Sequence, residues 1–435
     1  MRSPAAIIRI YLVLQLGNTL AASLIWGINT IFLLDAGLTN LEAFSANAFF
    51  TLGMVLFEVP TGVVADTIGR RASYLLGTVT LSLTTLVYVL LWYRHGPFWQ
   101  WAIASVLIGL GFTFFSGAVE AWLVDALGAA GYTGEMEPVF GRGQVVSGAA
   151  MLVGSLAGGY IASRTNLGVP FLVRGAILLA MFGIALWLMR DLGFTPRKVR
   201  HPWREMTRVL RESVDHGWRR PAVKWLMVEA FFTGGVGFYV FYALQPYLLQ
   251  LYGNPKAYQI AGLVAAIVAG AQILGGLAAP WIRRLFRRRT SALIATTVGS
   301  AVALVAIGGI SSFLAAVALI VVWALLYAAE LPIRQSYLNG LIPSQQRATI
   351  LSFDSLVGSA GGVWSQPLLG RSADAWGYGG SFVLSGGITV LALPFLALSR
   401  RQHAPADVRV SPTGPEPPAQ PPGTGADRPS ADAAT

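Results

Sequence analysis

Four glutamates, Glu58, Glu120, Glu229 and Glu330, stand inside stretches that are otherwise apolar. Placed in hydrocarbon, a carboxylate is costly, and it persists by facing a cavity, by pairing with a cation or by carrying a proton. Proton carriage is the chemistry these positions offer. Glu120 is the first candidate, because no Lys or Arg occurs between Phe98 and Asp125, and Glu229 is the second. Glu330 lies one helical turn before Arg334, so neutralisation by that neighbour is its simplest account. Pro332 between them disturbs the turn. For each acid, a structural hydrogen bond at a helix interface is the competing role.

The elements that must hold these acids follow from composition. Of 435 residues, 54% are hydrophobic and 12% charged, and the mean hydropathy is +0.60. That is too little charge to clothe a soluble globule, so the chain belongs in a bilayer. A crossing needs roughly 20 apolar residues. Twelve such stretches fall near 7–34, 43–65, 72–93, 98–126, 140–163, 169–190, 222–251, 258–282, 290–309, 312–340, 346–370 and 379–399. The first is too long for a signal-peptide core and reads as a retained helix. The expected class is an all-α integral membrane protein of twelve transmembrane helices in two pseudo-symmetric six-helix halves.

The halves are residues 1–191 and 222–400, joined by a basic linker, 192–221, and followed by a Pro-, Gly- and Ala-rich tail, 401–435. In the linker Trp203, Met206, Leu210 and Val214 fall at helical spacing, the pattern of an amphipathic helix on the membrane surface. The tail has no apolar periodicity and reads as disordered. All but five of the 31 Lys and Arg, namely Arg94, Arg164, Arg174, Lys256 and Arg371, fall on the side of the termini. The positive-inside rule then makes both termini cytoplasmic, in a bacterial inner membrane. Placed this way, the net charge of +11 describes topology and does not imply nucleic acid.

Displacing the chain by about half its length sets Gln15 against Glu229, Glu58 against Gln272, Gly62 against Gly276 and Asp66 against Pro280. Nearly the same displacement sets Glu120 against Glu330. Such weak internal repetition is expected of paired helical halves. Between the second and third stretches, Gly62, Asp66, Gly69, Arg70 and Arg71 form an acidic and basic hairpin whose spacing resembles the signature loop between helices 2 and 3 of the major facilitator superfamily. The run Ile342-Pro343-Ser344-Gln345-Gln346-Arg347-Ala348-Thr349 resembles another frequent loop of that family.

The resemblance implies a gating loop in which Arg70 or Arg71 binds Asp125 at the end of helix 4. Asp66 would cap the helix beginning near Ser344, where a carboxylate suits the positive helix end. The two contacts would act as a latch that holds the cavity open to the outer side. It also implies that helices 1 and 7 border a central cavity. On those helices Gln15, Asn18, Trp26 and Asn29, and Phe238, Tyr239, Tyr242 and Gln245, are the candidate lining, with Arg334 as a buried cation. Aromatic rings and amides suit amphipathic organic molecules. The glycine-proline pattern of drug/proton antiporters is incomplete in helix 5, where Ala150, Gly154, Ser155, Gly158 and Gly159 stand.

The expected function is secondary transport: proton-coupled efflux of a hydrophobic or amphipathic small molecule by alternating access. The partners are that substrate, protons and the lipid bilayer, and the protein is a monomer. The alternative is a proton symporter or facilitator importing a small metabolite; a polytopic enzyme or receptor is the more distant one. With no cysteine and four scattered histidines, no metal site is readable. None of Lys198, Lys224 and Lys256 sits in a nucleotide-binding glycine pattern, so neither ATP nor another cofactor is expected.

Overall fold

The computed structural model describes residues 3–196, 211, 218, 220–342 and 347–408. The sequence-predicted linker helix, the cap near Ser344 and the tail beyond Val408 lie outside the described residues. What is described is helical, with eleven stretches long and apolar enough to cross a membrane. The last, Ile350–Arg400, has 51 residues, far more than one crossing requires. It breaks at Gly377, whose φ of 70° only glycine adopts freely. The chain turns back there. Arg334 ties Asp354, before the break, to the carbonyl of Leu226, and Ser399, after it, donates to the carbonyl of Ala222. Twelve crossings result, and both ends of the described chain emerge at one face, called here the near face.

In order, the first span is Pro4–Trp26 continued by Asn29–Asp35, followed by Asn40–Thr67 and Arg70–Arg94. The fourth is Phe98–Thr113 continued by Ala118–Ala129. Glu137–Arg164 and Gly168–Leu188 complete the first half. The seventh to tenth are Pro221–Tyr252, Tyr258–Arg284, Arg289–Gly309 and Phe313–Leu341. The eleventh runs from Arg347 to the break, and the twelfth from there through Leu393–Arg400.

Local chemistry sets the ends. Ser3 caps the first span and Pro4 fills its first turn. Thr39 and Glu42 form a reciprocal capping box at the start of the second. Asp407 caps the ninth from the far end of the sequence, accepting from the Thr290 amide at 2.8 Å and its hydroxyl at 2.9 Å.

Apolar packing is asymmetric between the two faces. At the far face one cluster joins Ile25, Phe32 and Leu38 of the first half to Leu249, Ala257 and Ala261 of the second. Phe44 of the first half likewise enters the main cluster of the second. Among the described residues, the near-face clusters do not cross. Ile7, Tyr11, Trp122 and Met189 pack only with their own half, as do Val223, Leu338, Ile350 and Leu396 with theirs. The halves therefore meet at the far face and part at the near one.

Backbone also meets backbone where the first, fifth and eighth spans cross. A methyl at Gly159 would lie 2.6 Å from the Tyr258 carbonyl oxygen, and one at Gly27 3.0 Å from Gly262 Cα. These small residues are what lets the helices approach.

Candidate functional site

Between the separated near-face ends lies a vestibule with two communicating lobes. One, of about 730 Å³, is walled by Gln272, Glu330, Arg334, Asp354 and Met151. The other, of about 690 Å³, is walled by Met54, Glu58, Ser116 and Glu120. Leu351 and Ser355 border both. Above the second lobe, past Phe112, Phe115 and Glu120, a chamber of about 210 Å³ is lined by Gln15, Asn18, Trp26 and Arg174. It narrows to a pocket of about 50 Å³ among Trp26, Asn29, Asn47, Arg174 and Tyr242. That pocket ends beneath the far-face closure.

The fourth span is broken to place Glu120. Residues 114–117 leave the helix, Gly117 takes φ 66°, and Glu120 falls in the first turn of the restarted segment. A carboxylate there lies near the positive end of the helix. Gln15 Nε2 donates to Glu120 Oε1 at 2.8 Å, so Glu120 has a neutral partner that its own helix does not supply. Glu58 accepts from Ser116 Oγ at 2.6 Å, within the same break.

The second-half acids are organised differently. Arg334 donates from Nε to Glu229 at 2.9 Å and from both terminal nitrogens to Asp354 at 2.6 Å. Glu330 is not the acid that Arg334 engages; it accepts from Thr296 at 3.3 Å and Thr297 at 3.4 Å. The one-turn spacing points two side chains to a common side, but all three guanidinium nitrogens of Arg334 are taken by Glu229, Asp354 and the Leu226 carbonyl. The internal repeat is visible in these contacts. Gln15 of the first span reaches Glu120 of the fourth, as Glu229 of the seventh reaches Arg334 of the tenth.

Of the predicted lining, Gln15, Asn18, Trp26, Asn29, Tyr242 and Arg334 border the cavities. Asn18 accepts from the Tyr74 hydroxyl at 2.7 Å, and Asn29 donates to Asn47 Oδ1 at 3.0 Å. Tyr239 does not border them. It is fully buried and donates to Ser381 at 2.6 Å, packed in the cluster that holds Phe44, Val236 and Phe382. Phe238 is 38% exposed, and its ring borders Gly362. Gln245 is committed to backbone: it accepts from the Thr30 amide at 2.9 Å and donates to the Trp26 carbonyl. Those groups are freed by the break in the first span, so Gln245 closes that break from the other half.

The hairpin from Gly62 to Arg71 binds within the first half. Asp66 pairs with Arg70, and Arg70 Nε lies 3.8 Å from Asp125. Arg71 donates its amide to Asp191 at 2.9 Å and its guanidinium to the Leu186 carbonyl. Gly69 has φ 126°, and a Cβ there would collide with the Asp191 carboxylate. Gly62 faces open space. None of these described contacts reaches the second half.

Four polar residues that sequence reasoning leaves out prove central: Asp354, Asn47, Asp374 and Arg174. Asp354 falls after a predicted helix start, and its sequence neighbourhood gives no sign of its partner. Arg174 falls among the outer-side charges by sequence, yet it is six residues inside the sixth span and 3% exposed. A cation within an apolar run is the available signal.

The family model of the Major Facilitator Superfamily matches residues 11–290 and 257–426. The chain is 24% identical over 369 residues to an uncharacterized MFS-type transporter, YxaM, of Bacillus subtilis (strain 168), covering 81% of this chain and 86% of that one. Its fold is similar to that of the nucleoside transporter NupG, with a TM-score of 0.72 at 10% identity, covering 92% and 99%. A bacterial homologue of the lysosomal transporter Spinster, crystallised inward-facing and unoccupied, gives 0.71 at 16% identity, covering 94% and 99%. A D-xylose-proton symporter gives 0.65 at 15%, covering 90% and 96%. With the family model matched across nearly the whole bundle, the chain belongs to the Major Facilitator Superfamily and is a multi-pass membrane transporter.

Proposed function

We propose that the protein is a proton-coupled secondary transporter that carries a small amphipathic molecule by alternating access. The observation that carries this reading is the packing asymmetry: apolar clusters join the halves at the far face, and at the near face each cluster stays within its own half. With both termini in a bacterial cytoplasm, as the charge distribution indicates, the vestibule opens inward. Closing the near face and parting the far one would expose the same chamber outward.

Glu120 is the proton carrier in this scheme. It stands where the vestibule meets the upper chamber and is bordered by both, so its carboxylate is reached by any solute passing between them. Gln15 stabilises it with a neutral donor, a contact compatible with a charged or a protonated carboxyl. Glu58 lies in the same lobe as an auxiliary acid, and Glu229, locked to Arg334, serves structure. Moving one charge through 100 mV is worth about 2.3 kcal/mol, enough to drive substantial accumulation.

The sequence favours export of a hydrophobic or amphipathic compound. Import with protons is the second reading, favoured by one observation, the buried Arg174 above Glu120. Reconstituted vesicles with an imposed proton gradient test both. Glu120→Gln is expected to abolish gradient-driven flux while exchange of substrate persists; gradient coupling that survives in the variant overturns the assignment of Glu120. Filling or emptying of vesicles under an inward proton gradient decides the direction.

A further inference from the structure

The two buried arginines facing the cavities are in opposite electrostatic situations. Arg334 has two carboxylates and a carbonyl around it. Arg174 is equally deep, at 3% exposed, and forms no ion pair with any described residue. Its Nε is buried without a hydrogen-bond partner, and its guanidinium lies 5.6 Å from the centroid of the Phe112 ring. Arginine cannot shed its proton in a protein, so this is a permanent charge. A buried charge without a counter-ion is strongly destabilising, and it persists where something else supplies the anion.

We propose that Arg174 is the binding site for an oxyanion, a carboxylate or phosphate-type group, on the transported molecule. Arg174 borders both the upper chamber and the small pocket above it, at the closed end of the path from the near face. The fork of the guanidinium matches the two oxygens of a carboxylate. Around it, Trp26, Phe112 and Tyr242 offer aromatic faces, and Asn29 and Asn47 offer amides. The Asn47 amide nitrogen is itself buried without a partner, and Asn47 lines the same pocket. The ligand class is thus an amphipathic organic anion whose charged end lies against Arg174 and whose body stacks on the rings.

This deepens the transporter reading and rests on it for the ligand's role as cargo. It also bears on coupling. A charged Glu120 on the same chamber repels an anion, whereas a protonated one leaves Arg174 to attract it, so proton and anion load together, which is the coupling of the second reading, import with protons, and not of export.

Binding to the purified full-length protein in detergent tests the site without any transport. The probes are benzoate, indole-3-acetate and phenylphosphonate, each against a neutral counterpart: benzamide, indole-3-acetamide and phenylphosphonic diamide. Wild type is expected to bind at least one anion about tenfold more tightly than its counterpart, the scale of one charge-assisted hydrogen bond. Arg174→Gln should erase the preference and Arg174→Lys should keep part of it. Where Arg174→Gln does not fold, modification of Arg174 in wild type by phenylglyoxal, read by peptide mass spectrometry, should be slowed by the anion and not by the amide. Equal binding of every pair, a preference surviving Arg174→Gln, or unprotected modification overturns the proposal. Failure of proton coupling in vesicles leaves these readouts unmoved, so the two ideas fail separately.

Discussion

The carboxylate of Asp374 caps the second span from across the molecule, accepting from the Asn40 amide at 3.0 Å and the Leu41 amide at 2.9 Å. Asn40 completes the contact by donating its own side-chain nitrogen to Asp374 at 3.0 Å and accepting from the Tyr378 hydroxyl. One acid thus neutralises the start of a first-half helix from the turn between the last two spans. It is the mirror, at the far face, of the contact expected between Asp66 and the eleventh span at the near one.

Asp374→Asn is therefore expected to loosen the far-face closure. Losing the charge from these bonds costs about 1.5 kcal/mol, roughly a tenfold shift toward opening. Because the chain has no cysteine, a single Phe50→Cys probe at the pocket floor reads this directly. Its labelling by an impermeant thiol reagent from the far side should rise about tenfold; unchanged labelling would show that the apolar cluster alone holds the gate.

Removing Arg334 should damage the fold. Arg334→Met leaves Glu229 and Asp354 buried together without their cation, at a cost of about 3–5 kcal/mol. Thermal unfolding in detergent should show a large drop for this variant. Arg334→Met combined with Glu229→Gln and Asp354→Asn should recover much of it, since the uncompensated charges are gone.

A methyl group added at Gly117 would meet nothing within 4 Å, so Gly117→Ala tests backbone conformation without crowding. A left-handed alanine costs about 1–2 kcal/mol. The expected result is a small loss of thermal stability with a larger loss of proton-coupled flux, because the strain falls three residues before Glu120. An equal effect on exchange and on coupled flux would show that the break does not position that carboxylate.

At the other end of the chain, Asp407→Ala removes the cap of the ninth span and should cost about 1 kcal/mol. Asp407→Asn, which keeps an acceptor, should cost less. The comparison is read from thermal melts of the two variants.

The spans were legible because apolar runs of crossing length have no other physical explanation in so poorly charged a chain. The repeat was legible less closely: Gln15 and Glu229 make corresponding contacts, but the residue that answers Glu120 is Arg334 and not Glu330. What escaped was set by rotation about a helix axis. Tyr239 and Tyr242 are three residues apart, yet one lies in the core and the other at the pocket. The commitments of Gln245 and Arg334 were hidden for another reason: their partners, Thr30 and Asp354, are chosen by how the spans cross. Local spacing carries no record of that.

The crossing of Gly27, Gly159 and Gly262 also bears on motion. Where those backbones touch directly, the contact resembles a bearing more than a gear, and the side chains that must slide are those of the apolar cluster beside it. Under the proposed alternating access, the stroke is then held by the apolar cluster at the far face and by the polar clasp at Asp374.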